Sequence, residues 1–390
     1  MENWKIVRLG DVCEIQSGGT PSRNKTEYWK NGTIPWVKIG DFSGKYLNKT
    51  TEHITPKGLE NSSAKLFSKG TILYSIFATL GEATILNIDA TTNQAIAGIK
   101  IKDKSSIDID YLFAYLNSLK EEVNRIGRGV AQNNINLSIL KSFTVPLPPL
   151  ETQKQIAAVL DKCTALIAKH KLMLKKYDTL IKSRFIEMFG NPQCISNNWK
   201  VNPLSDYCIV NPKKSELGPI PDDYELSFIP MQSVSENGDV DTSSIKHYKD
   251  VKTGFTYFRE NDVLFAKITP CMENGKGGVA RKLKNQIGFG STEFLVLRPI
   301  ETISNSEWIY RLTTFKTFRK DAENNMTGSA GQRRTPKEFF DKYKVGLPPI
   351  ELQNDFAAFV QQIDKSKFAV QKSLEKTEIL YKSLMQAYFG

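Results

Sequence analysis

The chain has 390 residues, of which 40% are hydrophobic and 24% charged, and its formal net charge is +11. This length allows two or three domains, and the composition excludes the disordered and fibrous classes. No apolar run approaches the ~20 residues of a membrane span and the N-terminus lacks a signal-peptide pattern, so we expect a cytoplasmic protein.

The first part of the chain, residues 4–146, has the pattern of a mixed α and β domain. Strand-like apolar runs occur at residues 71–76 and 95–101, and turn-forming residues occur at 31–32, 56–58 and 68–70. Over residues 110–126, apolar side chains recur at spacings of three and four, which predicts one amphipathic helix. A polar loop at residues 129–136 follows it.

The segment Leu147-Pro148-Pro149 marks the end of this domain. Two consecutive prolines impose extended geometry on the residues before them and cannot lie inside a helix, although a proline can precede the first turn. A helix is therefore predicted to start near Leu150. Glu151 then lies in its first turn, where a carboxylate suits the positive end of the helix dipole.

A heptad pattern of apolar residues follows this helix start. A single helix that continues to the end of this pattern would be on the order of 55 Å long and cannot bury such a stripe by itself. We therefore expect a partner helix. The residues predicted to pack against it are Ile156, Cys163, Leu166, His170, Tyr177 and Leu180. His170 is interpreted as a packed polar residue that fixes the register and not as a metal ligand.

The partner is predicted from an internal repeat, because residues 347–390 match residues 147–190 without a gap. Both copies contain Leu-Pro-Pro-x-Glu-x-Gln and end in Phe-Gly. In the second copy the packing residues are predicted to be Phe356, Ile363, Val370, Leu374 and Leu384. Ser366 and Lys367 interrupt this seam, so we expect weaker packing there. The two helices are expected to lie antiparallel.

The globular parts repeat more faintly. The pattern Trp-Lys-x-x-x-Leu-x-Asp-x-Cys occurs at residues 4–13 and again at 199–208. A second helix is predicted from Ser306, which we expect to be its N-cap. The intervening loops diverge, as at Thr92-Asn93-Gln94 against Ser291-Thr292-Glu293. A shared framework with unlike loops indicates two modules that perform one task on two different targets.

These features together resemble one protein family, the DNA-specificity subunits of type I restriction-modification systems. The resemblance rests on the repeated Leu-Pro-Pro opening, the long helix ending in Phe-Gly, and the Trp-x-x-x-x-Leu-x-Asp start of each globular part. It covers essentially the whole chain. The second opening departs from the first, since Asn354-Asp355-Phe356 stands where the first copy has Lys154-Gln155-Ile156.

The resemblance implies an α+β fold with an internal pseudo-twofold repeat. Two target-recognition domains, at residues 1–149 and 191–349, would be separated by two antiparallel coiled-coil helices at 150–190 and 350–390. Each domain would read one half of a bipartite double-stranded DNA target. The chain would have no catalytic activity and no cofactor. Its partners would be two modification subunits, which use S-adenosylmethionine to methylate adenine, and possibly two restriction subunits.

Candidate DNA-contacting residues combine cations for phosphates with side chains that can pair with base edges. The loops before each Leu-Pro-Pro are favoured, and the Arg333 and Arg334 pair suits guanine. Trp36 is interpreted as a core residue rather than a base reader. The full set of candidates is Thr20, Arg23, Lys38, Arg128, Gln132, Asn133, Asn134, Lys267, Thr269, Arg281, Gln332, Arg333, Arg334 and Thr335.

Other functions find less support in the sequence. The Asn-Pro-Pro-aromatic motif of an amino-methyltransferase is absent, and the stretch 275–278 lacks the full phosphate-loop pattern. Five scattered cysteines without a C-x-x-C pair, and only three histidines, predict neither disulfides nor a zinc site. One alternative stays open. The chain could be a coiled-coil scaffold whose globular domains bind protein partners.

Overall fold

The computed structural model describes residues 4–128, 134–191, 199–329 and 331–390, without the side chains of residues 126–128. The chain forms two compact units. Unit 1 is Met1–His170 with Ser373–Gly390, and unit 2 is Lys171–Lys372. Each unit contains one globular α+β part and a length of each of the two long helices.

The globular part of unit 1 contains three sheets. Its strands are β1 (Lys5–Arg8), β2 (Cys13–Ser17), β3 (Ile34–Val37), β4 (Tyr46–Leu47), β5 (Glu52–Ile54), β6 (Leu66–Phe67), β7 (Ile72–Ser75), β8 (Ala83–Leu86), β9 (Ala90–Thr92), β10 (Ile96–Ile101) and β11 (Thr144–Leu147). Its helices are α1 (Leu9–Val12), α2 (Pro56–Glu60), α3 (Ile109–Ser118), α4 (Lys120–Arg128) and α5 (Leu137–Ser142). The strand orders are β2-β10-β7-β8-β4, β5-β3-β9-β6 and β1-β11.

The apolar runs at 71–76 and 95–101 become the neighbouring strands β7 and β10 inside the five-stranded sheet. All four residues of β7 are buried, because α3 covers one face of the sheet at this strand and the four-stranded sheet covers the other. A strand that is buried on both faces has a continuous apolar run. The helix predicted over 110–126 is in fact two helices, α3 and α4, which are interrupted at Leu119. Asp108 caps α3 by accepting from two backbone N–H groups.

Unit 2 repeats this topology. Its strands are β12 (Val201–Pro203), β13 (Cys208–Val210), β14 (Glu225–Ile229), β15 (Ile245–His247), β16 (Thr256–Arg259), β17 (Val263–Ala266), β18 (Gly277–Val279), β19 (Ile287–Gly290), β20 (Phe294–Pro299) and β21 (Lys344–Gly346). The helices α7 (Tyr248–Val251), α8 (Ser306–Thr314), α9 (Lys316–Asn324) and α10 (Glu338–Lys342) belong to the same part. The strand orders are β13-β20-β17-β18, β15-β14-β19-β16 and β12-β21.

The two topologies correspond in every strand except β4, which pairs with β8 in unit 1 and has no counterpart among the described residues of unit 2. The parallel pair of β3 with β9 in unit 1 recurs as β14 with β19 in unit 2. The predicted α+β class with an internal repeat is therefore confirmed. Two details of the predicted correspondence were wrong. Asn305, and not Ser306, caps α8. When the two copies are aligned on the register of their strands, Asn93 is equivalent to Ser291. The predicted equivalence had placed Asn93 at Thr292, one residue further on.

The long helices are α6 (Leu150–Phe189) and α11 (Ile350–Phe389), so the predicted start at Leu150 is confirmed. In unit 1, Ile156 and Leu160 of α6 pack with Tyr381 and Leu384 near the end of α11. In unit 2, Phe185 near the end of α6 packs with Phe356 at the start of α11, with ring centroids 5.5 Å apart. Within each unit, the start of one long helix thus lies against the end of the other.

The prediction of packing in the helix seam is wrong for two residues. Leu166 is 45% exposed and Leu180 is 46% exposed. Apolar residues of α6 come in adjacent pairs, and in the pairs that contain Leu166 and Leu180 the second residue packs in the seam. Ile167 is partly buried and Ile181 is 1% exposed.

The remaining predicted positions are at least partly buried. They are Ile156, Cys163, His170, Tyr177, Phe356, Ile363, Val370, Leu374 and Leu384. At the interruption of the second seam, Lys367 forms an ion pair of 2.7 Å with Asp178 of α6.

Candidate nucleic-acid interface

A buried glutamine in the first turn of each long helix fixes the end of the preceding loop. Gln153 Nε2 donates to the carbonyl oxygens of Pro148 at 2.9 Å and Ser106 at 3.0 Å, and Gln153 Oε1 accepts from Asp108 N at 2.9 Å. Gln353 makes the same three bonds in unit 2, to Pro348 O, Ile303 O and Asn305 N. Both glutamines are fully buried. In the sequence they stand out only as markers of the repeat, and their identical spacing from the two prolines is the signal that points to this role.

In unit 2, the loop before the second Leu-Pro-Pro is joined to the loop that follows β17. Arg334 forms a β-bridge with Ile268, and Thr335 N donates to Lys267 O at 2.8 Å. Lys267 N in turn donates to Glu293 O at 2.9 Å. Backbone hydrogen bonds therefore bring together three segments that are far apart in sequence.

Unit 1 has the same arrangement after β7. Asn134 forms a β-bridge with Phe77, Ile135 N donates to Ile76 O at 3.0 Å, and Ile76 N donates to Ala95 O at 2.9 Å. Of the candidates predicted in this loop, Gln132, Asn133 and the side chain of Arg128 lie outside the described residues. In both units the loop before Leu-Pro-Pro thus pairs with a second loop that sequence reasoning did not associate with it.

Arg334 is the most precisely held of the candidate cations. Its Nε donates to Glu293 Oε2 at 2.9 Å, its Nη2 donates to Glu293 Oε1 at 2.7 Å, and its Nη1 donates to Gln332 O at 3.0 Å. Its side chain is 41% exposed. Lys267 lies beside this pair, where burial lowers its pKa, Glu293 opposes the shift and Arg334 adds to it. Lys267, Glu293 and Arg334 form what we call the arginine cluster.

The neighbouring candidates in unit 2 are arranged differently from the prediction. Arg333 Nη2 donates to Glu323 O at 2.8 Å and so binds the C-terminal turn of α9, which removes it from the predicted arginine pair. Thr335 is 1% exposed, so its predicted contact with DNA is wrong for its side chain. Gln332 is exposed. The Thr269 hydroxyl donates to Glu273 Oε1 at 3.0 Å.

Arg281 lies apart from the arginine cluster. Its Nη2 is 2.8 Å from Oε2 of Glu307, a buried carboxylate on α8 that also pairs with Arg311. These side chains and Asp364 of α11 line one cleft. A buried carboxylate retains its charge when cations compensate it. Arg281 is therefore engaged by a carboxylate of its own globular part, and the structure does not bring it to the other candidates.

In unit 1 a basic side chain, Lys45, joins the globular part to a long helix. Its ammonium group lies 2.8 Å from Asp110 of α3 and 2.5 Å from Asp161 of α6. Burial of Lys45 lowers its pKa, but its hydrogen bonds with the two carboxylates outweigh this and the net shift is upward. Unit 1 thus ties its globular part to α6 through Lys45, whereas the ion pairs of Glu307 in unit 2 lie within the globular part. Sequence reasoning missed these ion pairs because most of their members are distant in sequence.

Two of the remaining candidates in unit 1 lie around the carboxylate of Glu52. Arg23 and Lys38 each lie 2.5 Å from a Glu52 carboxylate oxygen. The hydrogen bond from Lys38, assisted by Arg23, lowers the pKa of Glu52. Trp36 is 2% exposed, in agreement with its interpretation as a core residue, and the Arg23 guanidinium stacks 4.7 Å from its ring centroid. The Thr20 hydroxyl donates to Gln94 Oε1 at 2.5 Å.

These loops carry guanidinium, ammonium and amide groups. Guanidinium, ammonium and amide groups can bind phosphates and base edges. Within the described ranges, no three His, Cys, Asp or Glu side chains are grouped so that they could hold a metal ion. Among the same residues, no helix combines the length and the apolar character needed to cross a bilayer.

Comparison with known proteins identifies the family. The family model described as "Type I restriction modification DNA specificity domain" matches residues 1–176 and 196–380. The chain belongs to this family. The two matched segments correspond to the two halves of the internal repeat, each with its globular part and most of its long helix.

Relatives of this family match the chain to different extents. The specificity subunit of the type I restriction enzyme EcoAI from Escherichia coli is 41% identical over 193 residues, which cover 48% of this chain and 32% of that protein. The chain thus spans about a third of the length of this relative. The MjaIX specificity subunit from Methanocaldococcus jannaschii is 24% identical, with coverage of 96% of this chain and 89% of that protein.

A crystal structure of an S subunit of a type I restriction-modification system from M. genitalium has the same fold. It matches with a TM-score of 0.57 and 12% sequence identity, over 98% of this chain and 95% of that chain. At this identity the similarity concerns the fold. The individual contacts described above are properties of this chain.

Proposed function

We propose that this specificity-family chain is the non-catalytic subunit that recognises double-stranded DNA in a type I restriction-modification complex. Residues 1–149 and 191–349 would be the two target-recognition domains, and each would read one half of a bipartite sequence. The observation that carries the proposal is the loop pairing that recurs in both units, Phe77 with Asn134 and Ile268 with Arg334. The same framework presents different side chains in the two units, as reading two different half-sites requires.

The helices at 150–190 and 350–390 would serve as spacer and docking surface for two modification subunits, with S-adenosylmethionine bound by those partners and no cofactor in this chain. Restriction subunits could join the same assembly, which would act on DNA in the cytoplasm. Exposed apolar side chains on both helices support a docking role, because a partner would remove them from water. They are Val159, Leu166, Ile379 and Leu380 in unit 1 and Leu172, Leu180, Ile186 and Phe368 in unit 2.

Mapping methylated adenines tests this function directly. Cells that express the modification subunit with this chain should methylate adenines within one bipartite motif, and the modification subunit alone should leave that motif unmodified. A methylation pattern that does not change when the chain is removed would contradict the proposal. The same result would favour a scaffold that binds only proteins. A transfer activity of the isolated chain would contradict its non-catalytic role.

A further inference from the structure

The arginine cluster holds one guanidinium in a fixed position at the surface of unit 2. The backbone of Arg334 is bonded on both sides, since Arg334 N donates to Thr327 O at 2.8 Å and Thr327 N donates to Arg334 O at 3.0 Å. Its bridge with Ile268 adds a third segment. The side chain is then held by Glu293. A group that is fixed before binding loses less entropy when it binds.

The contacts of Arg334 leave part of its donor capacity for a ligand. A guanidinium has five N–H groups, and the contacts with described residues use one on Nε, one on Nη2 and one on Nη1. Each terminal nitrogen therefore keeps one N–H that no described residue accepts. Two donors on neighbouring nitrogens fit a ligand that presents two acceptors side by side.

Guanine fits these donors better than the other acceptors of DNA. In the major groove its O6 and N7 atoms are two adjacent acceptors, whereas adenine and thymine each present one acceptor there. A phosphate also has several acceptors, but the Glu293 carboxylate opposes the attraction that Arg334 and Lys267 exert on its negative charge. Guanine carries no net charge, so the same carboxylate repels its edge much more weakly than it repels a phosphate.

We propose, on the basis of the function proposed above, that Arg334 reads one guanine in the half-site of unit 2 and that Glu293 is the residue that positions it. Glu293 fixes the plane of the guanidinium and disfavours a phosphate at the same place. The specificity at this position then depends on a residue 41 positions away in sequence, in the turn before β20.

Duplex binding by the complete complex with the modification subunit tests the proposal. The probe is a duplex with the motif that the wild-type complex methylates, and each guanine is replaced in turn by 7-deazaguanine, which lacks the N7 acceptor. We expect one position in one half-site at which this replacement weakens wild-type binding several-fold. In the Arg334→Ala variant, the preference for guanine over other bases at that position should fall by about 5- to 150-fold. It should then bind the deaza and normal duplexes equally.

Two conservative variants separate reading from other roles. Arg334→Lys keeps the charge but lacks the fork of donors, so it should relax the choice of base at this position, whereas a phosphate contact would survive the change. Glu293→Gln should relax the same position without lowering affinity for other sequences, because it removes a negative charge. The matched control is Glu225→Gln, which alters an exposed ion pair of 3.0 Å with Lys284 elsewhere in unit 2 and should leave the motif unchanged.

The outcomes are distinguishable. Equal weakening on all sequences in Arg334→Ala, or a wild-type motif that stays unchanged in the Arg334 and Glu293 variants, would overturn the guanine assignment and leave the proposed function intact. A half-site of unit 2 that contains no G·C pair would also overturn the guanine assignment and leave the proposed function intact. If the wild-type complex shows no bipartite motif, the proposed function itself fails.

Discussion

Gln153 and Asp108 are joined by a hydrogen bond of 2.9 Å from the backbone N–H of Asp108 to Oε1 of Gln153. Asp108 is the N-cap of α3, and Gln153 lies in the first turn of α6. This bond connects the start of a helix in the globular part to the start of the long helix. The Pro148 carbonyl accepts from the same glutamine, so the Leu-Pro-Pro segment is fixed between the two.

Gln153→Leu is expected to destabilise the protein. The buried amide makes three hydrogen bonds, and the variant would lose all three, one of them the fully buried bond to the Pro148 carbonyl. A buried group without a partner costs about 1–3 kcal/mol and the two partly buried groups add to this, so the free energy of unfolding should fall by at least about 2 kcal/mol. Urea denaturation measures it. Gln155→Leu on the exposed face of the same helix is the control, and an equal loss in both variants would contradict a specific role for Gln153.

A second prediction concerns the buried guanidinium of Arg319 in unit 2. Its three nitrogens donate to backbone carbonyls at Thr313, Met272 and Gly275, and its guanidinium stacks 4.3 Å from the ring centroid of Phe265. These bonds hold the segment between β17 and β18, which begins beside Arg334. Arg319→Met should lower the free energy of unfolding by more than about 2 kcal/mol, because the carbonyls would lose their donor.

Differential scanning calorimetry and limited proteolysis measure this effect. We expect a lower melting temperature and faster cleavage within residues 267–276 for Arg319→Met. Lys320→Met changes the exposed neighbour on the same helix and should behave as the wild type. An unchanged cleavage rate in Arg319→Met would show that the segment does not depend on this side chain.

The cleft beside α11 gives a prediction about pH. Burial, followed by the nearby carboxylate of Glu307, raises the pKa of Asp364, while Arg311, Lys367 and Arg281 oppose the shift. The folded state then holds its proton more tightly than the unfolded chain. The free energy of unfolding therefore falls as pH rises through the raised pKa, and this loss is absent below the ordinary pKa of an aspartate.

Asp364→Asn removes this titration, so it should be more stable than the wild type at pH 7. The difference should shrink as the pH approaches 4. Urea denaturation across this range measures it, and Asp355→Asn on the exposed face of α11 is the control. A variant that is less stable than the wild type at pH 7 would show that the three cations outweigh the burial of the carboxylate.

The long helices could be predicted from the sequence because their signals are local. Two prolines define the start at Leu150, and the apolar spacing defines a seam. The choice between adjacent apolar residues is not local. Val159 and Leu160 satisfy the heptad pattern almost equally, yet only Leu160 is buried, at 2% exposure. The partner helix makes this selection, and the pattern of one helix does not contain that information.

The candidate interface also has one part that the sequence predicts and one part that it does not. The loop before the second Leu-Pro-Pro was identified from its composition, but the pairing of Arg334 with Glu293 depends on strand register across 41 residues. The burial of Thr335 likewise follows from its backbone bond to Lys267. Composition indicates which residue types are suited to DNA. Only the packing of distant segments decides which of them are exposed, and which are already engaged by a neighbour.

The last prediction concerns the helices as a spacer. Insertion of seven residues into both helices, after His170 and after Lys372, preserves the 3.5-residue repeat of the seam. Each helix becomes about 10 Å longer, which corresponds to about 3 base pairs of DNA. If the helices set the separation of the half-sites, the methylated motif should keep both halves and gain about 3 unread base pairs. Insertion of five residues in each helix is the control, because it rotates the seam out of register and should prevent assembly. A seven-residue variant that assembles and still methylates the original spacing would show that the helices do not set it.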